Sequence, residues 1–194
     1  MSLLERVYRV LIVSSSEKFN SALVKMLPPS RFEHIRKASS IGAAGRLFSE
    51  WSFDMVIINS PLPDDPGLRF AIDACENEGT IVLFVVRSEN YSDVYAKLSP
   101  HGVFIVPKPI SKQNLEFAIS WMMSARERIR KLEKKTISIE DKMKEIRLVN
   151  RAKWLLIREL KMDEPAAHRY IEKQAMDRCV TRREIAEAII RTYA

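Results

Sequence analysis

The pattern of apolar and polar positions changes character near residue 110. Before that point, short apolar runs alternate with helical patterns and proline-marked loops. Tyr8 to Ser14 (YRVLIVS), Asp54 to Asn59 (DMVIIN), Thr80 to Val86 (TIVLFVV) and Val103 to Val106 (VFIV) read as buried strands, and a weaker strand is expected near Glu33 to Ala38. The spacing predicts helices over 17–26, 40–49, 67–77 and 90–98, the first stopped by Pro28-Pro29. Strands buried on both faces that alternate with helices predict an α/β fold: a five-stranded parallel sheet, doubly wound, with its site at the carboxyl ends of the strands.

From Ile110 to Glu164 there is neither glycine nor proline, so nothing in the run stops a helix. Met122, Ala125, Ile129, Leu132, Thr136, Ile139, Met143, Ile146, Asn150 and Lys153 follow one another at alternating spacings of three and four, a heptad register. Fully helical, the stretch spans roughly 80 Å, more than one domain core can cover. The preferred reading is a homodimer through a coiled coil, with Met122, Ile129, Leu132, Ile139, Met143 and Ile146 in its seam. An amphipathic helix folded back on its own domain would give the same stripe.

Beyond the seam, Leu155, Leu156 and Leu160 continue an apolar face up to Lys161. Asp163 is expected to cap a helix over 164–178 that has Pro165 in its first turn and Ala167, Tyr170, Ile171 and Ala175 inside. Thr181-Arg182-Arg183-Glu184 has capping-box spacing and opens a last helix carrying Ile185, Ala186, Ile189 and Ile190. The expected organisation is an α/β domain over 1–109, a coiled-coil linker over 110–137 and a small all-α three-helix domain over 138–194.

Composition narrows the class. An apolar content of 46% supports a real core, and no apolar run approaches a membrane span. The opening MSLLERVYRV has no signal-peptide pattern, so a cytoplasmic protein without membrane contact is expected. Cys75 and Cys179 lie far apart, and His34, His101 and His168 are scattered, so neither a disulfide framework, a metal site nor a cofactor is expected. The net charge of +7 is uneven: residues 1–109 hold 12 basic and 12 acidic side chains, and residues 110–194 hold 20 and 13. That asymmetry points to an acidic partner for the second half, with nucleic acid the commonest, against the plainer reading of a solvated helix surface.

The run FDMVIINSPLPDDPG (Phe53 to Gly67) and the pair Lys108-Pro109 resemble a response-regulator receiver domain, over residues 8–109. The resemblance implies a flavodoxin-like sheet, a magnesium site made by acidic residues after the first strand, and a phosphate-accepting aspartate ending the third. Here the acidic pair is replaced by Ser14-Ser15 and the acceptor by Asn59, while the hydroxyl and aromatic switch positions read Val86 and Ile105. Lys108 alone matches. An amide does not form an acyl phosphate, and two serines offer no charge to a hard divalent cation. Glu17, Asp64 and Asp65 sit in loops and do not occupy the matching positions. The reading is a receiver fold that has lost phosphorylation and takes its signal from a regulatory protein or small ligand. Lys108 is then a relic of the fold or the anchor of an anion, and the Ser14–Ser16 hydroxyls are caps.

Arg151-Ala152-Lys153, Glu164-Pro165-Ala166-Ala167 and the run from Arg183 to Ile190 resemble the ANTAR domain, over about residues 138–191. The resemblance implies RNA binding and transcription antitermination, with a dimer holding two adjacent stem-loops of a leader transcript so that the terminator hairpin cannot form. Trp154 stands where that family commonly has glycine. The residues themselves allow RNA: Lys144, Arg147, Arg151, Trp154 and Arg158 recur at three- and four-residue spacing on one helix face, and basic side chains around an aromatic ring suit unpaired bases. Lys153 joins the RNA-binding candidates although it falls on a d position, and Arg182 and Arg183 could add phosphate contacts; Lys161, Arg169 and Lys173 are weaker. The plainer reading buries Trp154 against the next helix. Ala152 is expected to let helices approach closely. A DNA-binding regulator and a protein-interaction dimer with a basic docking tail are the competing classes. An enzyme is not expected, since no nucleophile–base pair, phosphate loop or metal cluster is recognisable.

Overall fold

The computed structural model of the chain describes residues 7–77 and 79–193. Residues 1–6 and Ala194, the outer ends of the two expected domains, lie outside the described residues. The chain divides into two compact units, Met1–Arg130 and Lys131–Ala194.

In the first unit, strands β1 (Tyr8–Val13), β2 (Phe32–Ala38), β3 (Met55–Asn59), β4 (Ile81–Arg87) and β5 (Phe104–Lys108) form one parallel sheet in the order β2-β1-β3-β4-β5. Helices α1 (Glu17–Lys25), α2 (Ile41–Glu50), α3 (Leu68–Glu76) and α4 (Tyr91–Leu98) fill the crossovers. Every predicted strand and helix is present, with ends shifted by a residue or two. The sheet is buried on both faces because successive residues of an apolar strand point to opposite sides. Leu11, Val13, Val56, Ile58, Val82 and Phe84 pack with Ala44, Ala71, Val94 and Leu98 on one side. Val10, Ile12, Met55, Ile57, Leu83 and Val85 pack with Leu23, Leu115, Ala118, Ile119 and Met122 on the other. Ser16 and Ser40 cap α1 and α2, their hydroxyls accepting from the N–H groups of Phe19 at 3.3 Å and Ala43 at 3.2 Å.

Helix α5 (Lys112–Leu160) is the break-free helix expected from the sequence, 49 residues long. Its first part corrects the expected boundary and the expected seam. Residues 112–130 belong to the first unit, not to a linker, and Met122 is fully buried in its core. Ile129 packs partly against the same core. An apolar stripe facing a sheet has the spacing of one facing a partner helix, so the register alone did not separate the two. From Leu132 onwards the seam positions are open: Leu132, Ile139, Met143 and Ile146 are all about half-exposed, between 48% and 58%.

A buried ionic cluster fastens the base of α5 to the sheet. Asp54, 5% exposed at the start of β3, accepts from the Arg9 backbone N–H at 3.0 Å, from Arg126 Nε at 3.0 Å and from Arg130 Nη2 at 2.7 Å. Arg130 also meets Glu127 at 3.0 Å and lies over the Tyr8 ring, and the Tyr8 hydroxyl donates to Glu127 at 3.1 Å. Burial pushes the Asp54 carboxyl up, but the Arg9 N–H and the two guanidinium groups outweigh it and hold it below the usual carboxylate range.

In the second unit the remainder of α5 packs with α6 (Glu164–Asp177) and α7 (Arg182–Tyr193) around Ala152, Leu156, Ala167, Ile171, Ile185 and Ala186. Asp163 caps α6 as expected, accepting from the Ala166 N–H at 2.7 Å with Pro165 in the first turn. The capping box is reciprocal: Thr181 N–H donates to Glu184 at 2.8 Å, and Glu184 N–H donates to the Thr181 hydroxyl at 3.2 Å. Ala152 is fully buried, as close helix approach requires. Tyr170, expected inside, is 37% exposed; the core takes the small residues of α6 instead.

Candidate functional site

Two places carry the residues singled out in the sequence. The first is the carboxyl end of the sheet. Ser14 is buried after β1, and its hydroxyl accepts from Asn59 Nδ2 at 2.9 Å and from the Ser16 N–H at 3.1 Å. Ser15, next to it, is exposed. Asn20 Nδ2 donates to the Ser14 carbonyl at 3.3 Å. The acceptor position of a receiver is therefore an amide bonded to a hydroxyl, and the two replaced positions have closed on each other.

The neighbouring carboxylates are held by backbone. Asp64 accepts from the N–H groups of Ile41 at 3.0 Å and Gly42 at 2.9 Å, which cap α2 from a distant loop and lower its pKa. Asp65 accepts from the Gly67 N–H at 2.6 Å. Gly67 is required there: its φ is +86°, and a Cβ would stand 3.0 Å from Ile41 Cδ1. Lys108 Nζ donates to the Ser60 carbonyl, and burial followed by the nearby Arg87 charge lowers its pKa. Among the described residues no group of three or more histidines, cysteines or acids is placed to hold a metal.

The second place is α5 within the bundle unit. Lys144, Arg147, Arg151, Trp154 and Arg158 are all exposed along one face, which borders the side that Ala152, Leu155 and Leu156 bury. Trp154 is 71% exposed, so the reading that buried it against the next helix does not hold. Lys144 lies 3.6 Å from Asp141, and Arg158 lies 2.5 Å from Glu159, both exposed pairs of small worth. Arg147 and Arg151 make no ion pair among the described residues. Two guanidinium groups and an indole thus lie free and adjacent.

The other three basic candidates do not join that face. Lys153 is half-buried and donates to Glu164 at 2.9 Å, which lowers the pKa of Glu164 and ties α5 to the start of α6. Arg182 reaches Glu145 at 3.3 Å and Glu172 at 3.9 Å. Arg183 pairs with Glu187 at 3.0 Å, which raises its pKa. Glu145 lies about 140° around α5 from the basic face at 100° per residue, and Glu164 opens α6. The sequence could not separate these arginines and lysines, because spacing says nothing of which carboxylates fold against them. It also left unremarked Arg87, which the register places beside Lys108 on the adjacent strand.

Comparisons with known proteins agree with both halves. The ANTAR domain family matches residues 138–190. Transcriptional regulatory protein PdtaR of Mycobacterium tuberculosis is 29% identical over 185 residues, covering 95% of this chain and 90% of the relative. The signal receiver domain of an HD domain-containing protein from Pseudomonas fluorescens Pf-5 superposes with a TM-score of 0.59 at 19% identity, over 68% of this chain and 97% of that one. Chemotaxis response regulator CheY4 of Vibrio cholerae gives 0.52 at 17% identity, over 60% and 98%. At these identities the two structures speak for the fold of the first unit alone. No helix among the described residues is long and apolar enough to cross a membrane. A receiver fold in the first unit, an ANTAR-domain match over residues 138–190 and a relative aligned along nearly the whole length agree with one another, and the chain is similar to the ANTAR-domain response regulators.

Proposed function

We propose that the chain is an RNA-binding transcription antiterminator that works as a homodimer and receives its signal without phosphorylation. The observation that carries the RNA reading is the exposed Arg147–Arg151–Trp154 face inside the matched domain, cationic and free of internal partners. Guanidinium groups neutralise phosphates, and an exposed indole offers a surface on which an unpaired base stacks. The dimer rests on the half-exposed Leu132, Ile139, Met143 and Ile146, which need a partner helix to leave water. The loss of phosphorylation rests on chemistry: Asn59 has no carboxylate oxygen, and Asp64 and Asp65 are engaged by backbone.

Fluorescence anisotropy over a salt series tests the RNA reading, with a tandem stem-loop RNA, a single stem-loop and a DNA duplex of equal length. Preference for the tandem RNA is expected, since two linked grips gain from effective concentration. Equal binding to all three reduces the tail to a polycation, and no salt-dependent binding at all favours a protein partner. Sedimentation of Ile139→Lys, expected to be monomeric, tests the dimer. Intact mass after acetyl phosphate with magnesium, expected unchanged, tests the signal.

A further inference from the structure

Two charged rows border the exposed apolar stripe of α5. The heptad register that puts Thr136 and Met143 at a and Leu132, Ile139 and Ile146 at d puts Arg128, Lys135 and Lys142 at g. It puts Glu133, Glu140 and Arg147 at e. Leu132, Ile139, Met143 and Ile146 are each about half-exposed, and Lys135 and Glu140 stand exposed beside them. Neither Lys135 nor Glu140 makes an ion pair among the described residues. They cannot meet within one chain: five residues apart, they lie about 140° around the helix axis, on opposite flanks of the stripe.

The order of these charges distinguishes the ways in which a second copy can cover the stripe. In a parallel, in-register pair each g side chain faces the e side chain five residues on in its partner. Lys135 then meets Glu140 of the partner, Arg128 meets Glu133, and two-fold symmetry repeats both contacts. In an antiparallel pair g faces g and e faces e, so the basic row runs along a basic row and the acids along acids. Like charges so placed cost about as much as the ion pairs gain.

The pattern reverses one heptad later. Lys142 at g would face Arg147 of the partner at e, both basic. The stripe itself turns polar at Asn150 and at Lys153, whose ammonium already lies on Glu164. Apolar contact and ion pairing both stop there.

We propose that a second copy lies parallel and in register over residues 132–146, oriented by Lys135 and Glu140, and that the two helices diverge after Ile146. This rests on the homodimer reading and gives it a direction and an end. Both bundles then stand at the same end of the coiled coil. Arg147 and Trp154, which share the e row, are left uncovered where the helices part.

Sedimentation equilibrium over a concentration series reads the dimer, and disulfide trapping reads its direction. In the full chain carrying Cys75→Ser and Cys179→Ser, the substitutions Leu132→Cys and Ile139→Cys, introduced separately, should each give a covalent dimer on oxidation. A parallel in-register pair sets every d position against itself, whereas an antiparallel pair does so at no more than one point. Asn150→Cys, beyond the proposed end, should give none. Glu140→Lys should weaken dimerisation about tenfold, two attractions having become repulsions, and adding Lys135→Glu should restore it. Chains carrying Lys135→Glu alone and Glu140→Lys alone should pair with each other more tightly than either does with itself. Trapping at only one of positions 132 and 139, or at neither, or a tighter dimer in Glu140→Lys, would overturn the direction while the dimer stands. Trapping at position 150 as fast as at 139 would overturn the divergence. A native chain that stays monomeric at every concentration overturns the homodimer reading itself, and the direction with it.

Discussion

Helix α5 carries the same kind of arginine twice, and the two sets have opposite fates. Arg126 and Arg130 stand four residues apart near its base, and Arg147 and Arg151 stand four apart in the bundle unit. The first pair is held by Asp54, a carboxylate buried at the start of β3. The second pair is exposed and has no carboxylate within reach among the described residues. Residue type and spacing are equal, so what separates a structural arginine from a binding one here is whether the fold sets an anion opposite it. A cation that the chain leaves unmatched is available to an anion from outside, and that is why the second pair and not the first is proposed to meet RNA.

The largest effect expected from breaking this contrast is at Asp54. Asp54→Asn removes the charge that two buried guanidinium groups face, and it should cost on the order of 3 kcal/mol, read by urea denaturation at pH 7. RNA affinity per folded chain should not change. The pH dependence has a definite sign. Because the folded pKa is depressed, the contribution is fully present above the unfolded carboxylate value of about 3.9 and is lost as pH falls through the folded value. The gap in stability between the native chain and Asp54→Asn should therefore close on acidification below about pH 4. A gap that persists there would mean that packing, not charge, anchors the base of α5.

At the other pair the expectation reverses. Arg147→Ala with Arg151→Ala should leave the urea midpoint in place and weaken RNA binding on the order of 100-fold, two charge-assisted contacts being lost. The slope of log affinity against log salt should fall by about 0.7 for each phosphate contact removed. Lost stability with unchanged affinity would exchange the roles of the two pairs. Trp154→Ala comes next, with about a tenfold loss of affinity for stem-loops carrying unpaired bases and little change for a paired duplex. An equal loss for both would make the indole a packing group.

Much of the fold was legible in the sequence because its signals are local. Short apolar runs rich in β-branched residues, such as TIVLFVV, fit strands of a sheet covered on both sides, and Asp163-Glu164-Pro165 and Thr181 to Glu184 spell their caps directly. The exchange of Asn59 and Ser14 for acids was equally visible, since it needs only the identity of a strand-end residue. What stayed hidden was set by contacts between distant residues. Met122 has the register of a seam and the burial of a core, because a sheet and a partner helix take the same stripe. Asp54 looked like the first residue of a strand, and its two arginines are 72 and 76 residues away. The exposure of Trp154 depended on where α6 and α7 come to lie against α5.

The smallest expected effect is at Lys153, and it sharpens the contrast most finely because Lys153 lies next to Trp154 in the chain. By sequence it belongs with the RNA-binding lysines and arginines. In the fold it points toward α6, with its side chain 16% exposed and its ammonium on Glu164 at 2.9 Å. A cation so placed is already matched, and it resembles Arg126 more than Arg151. Lys153→Ala should therefore change RNA affinity by no more than about twofold, the scale of an exposed ion pair, and lower the melting temperature slightly by loosening the first turn of α6. The charge-reversed pair Lys153→Glu with Glu164→Lys should recover the melting temperature. It should also keep RNA affinity near the native value, because net charge is unchanged and the exposed face is untouched. A strong loss of affinity in Lys153→Ala that the reversed pair does not restore would place Lys153 on the nucleic acid, and the rule that a matched cation is a structural one would fail at the position nearest the proposed interface.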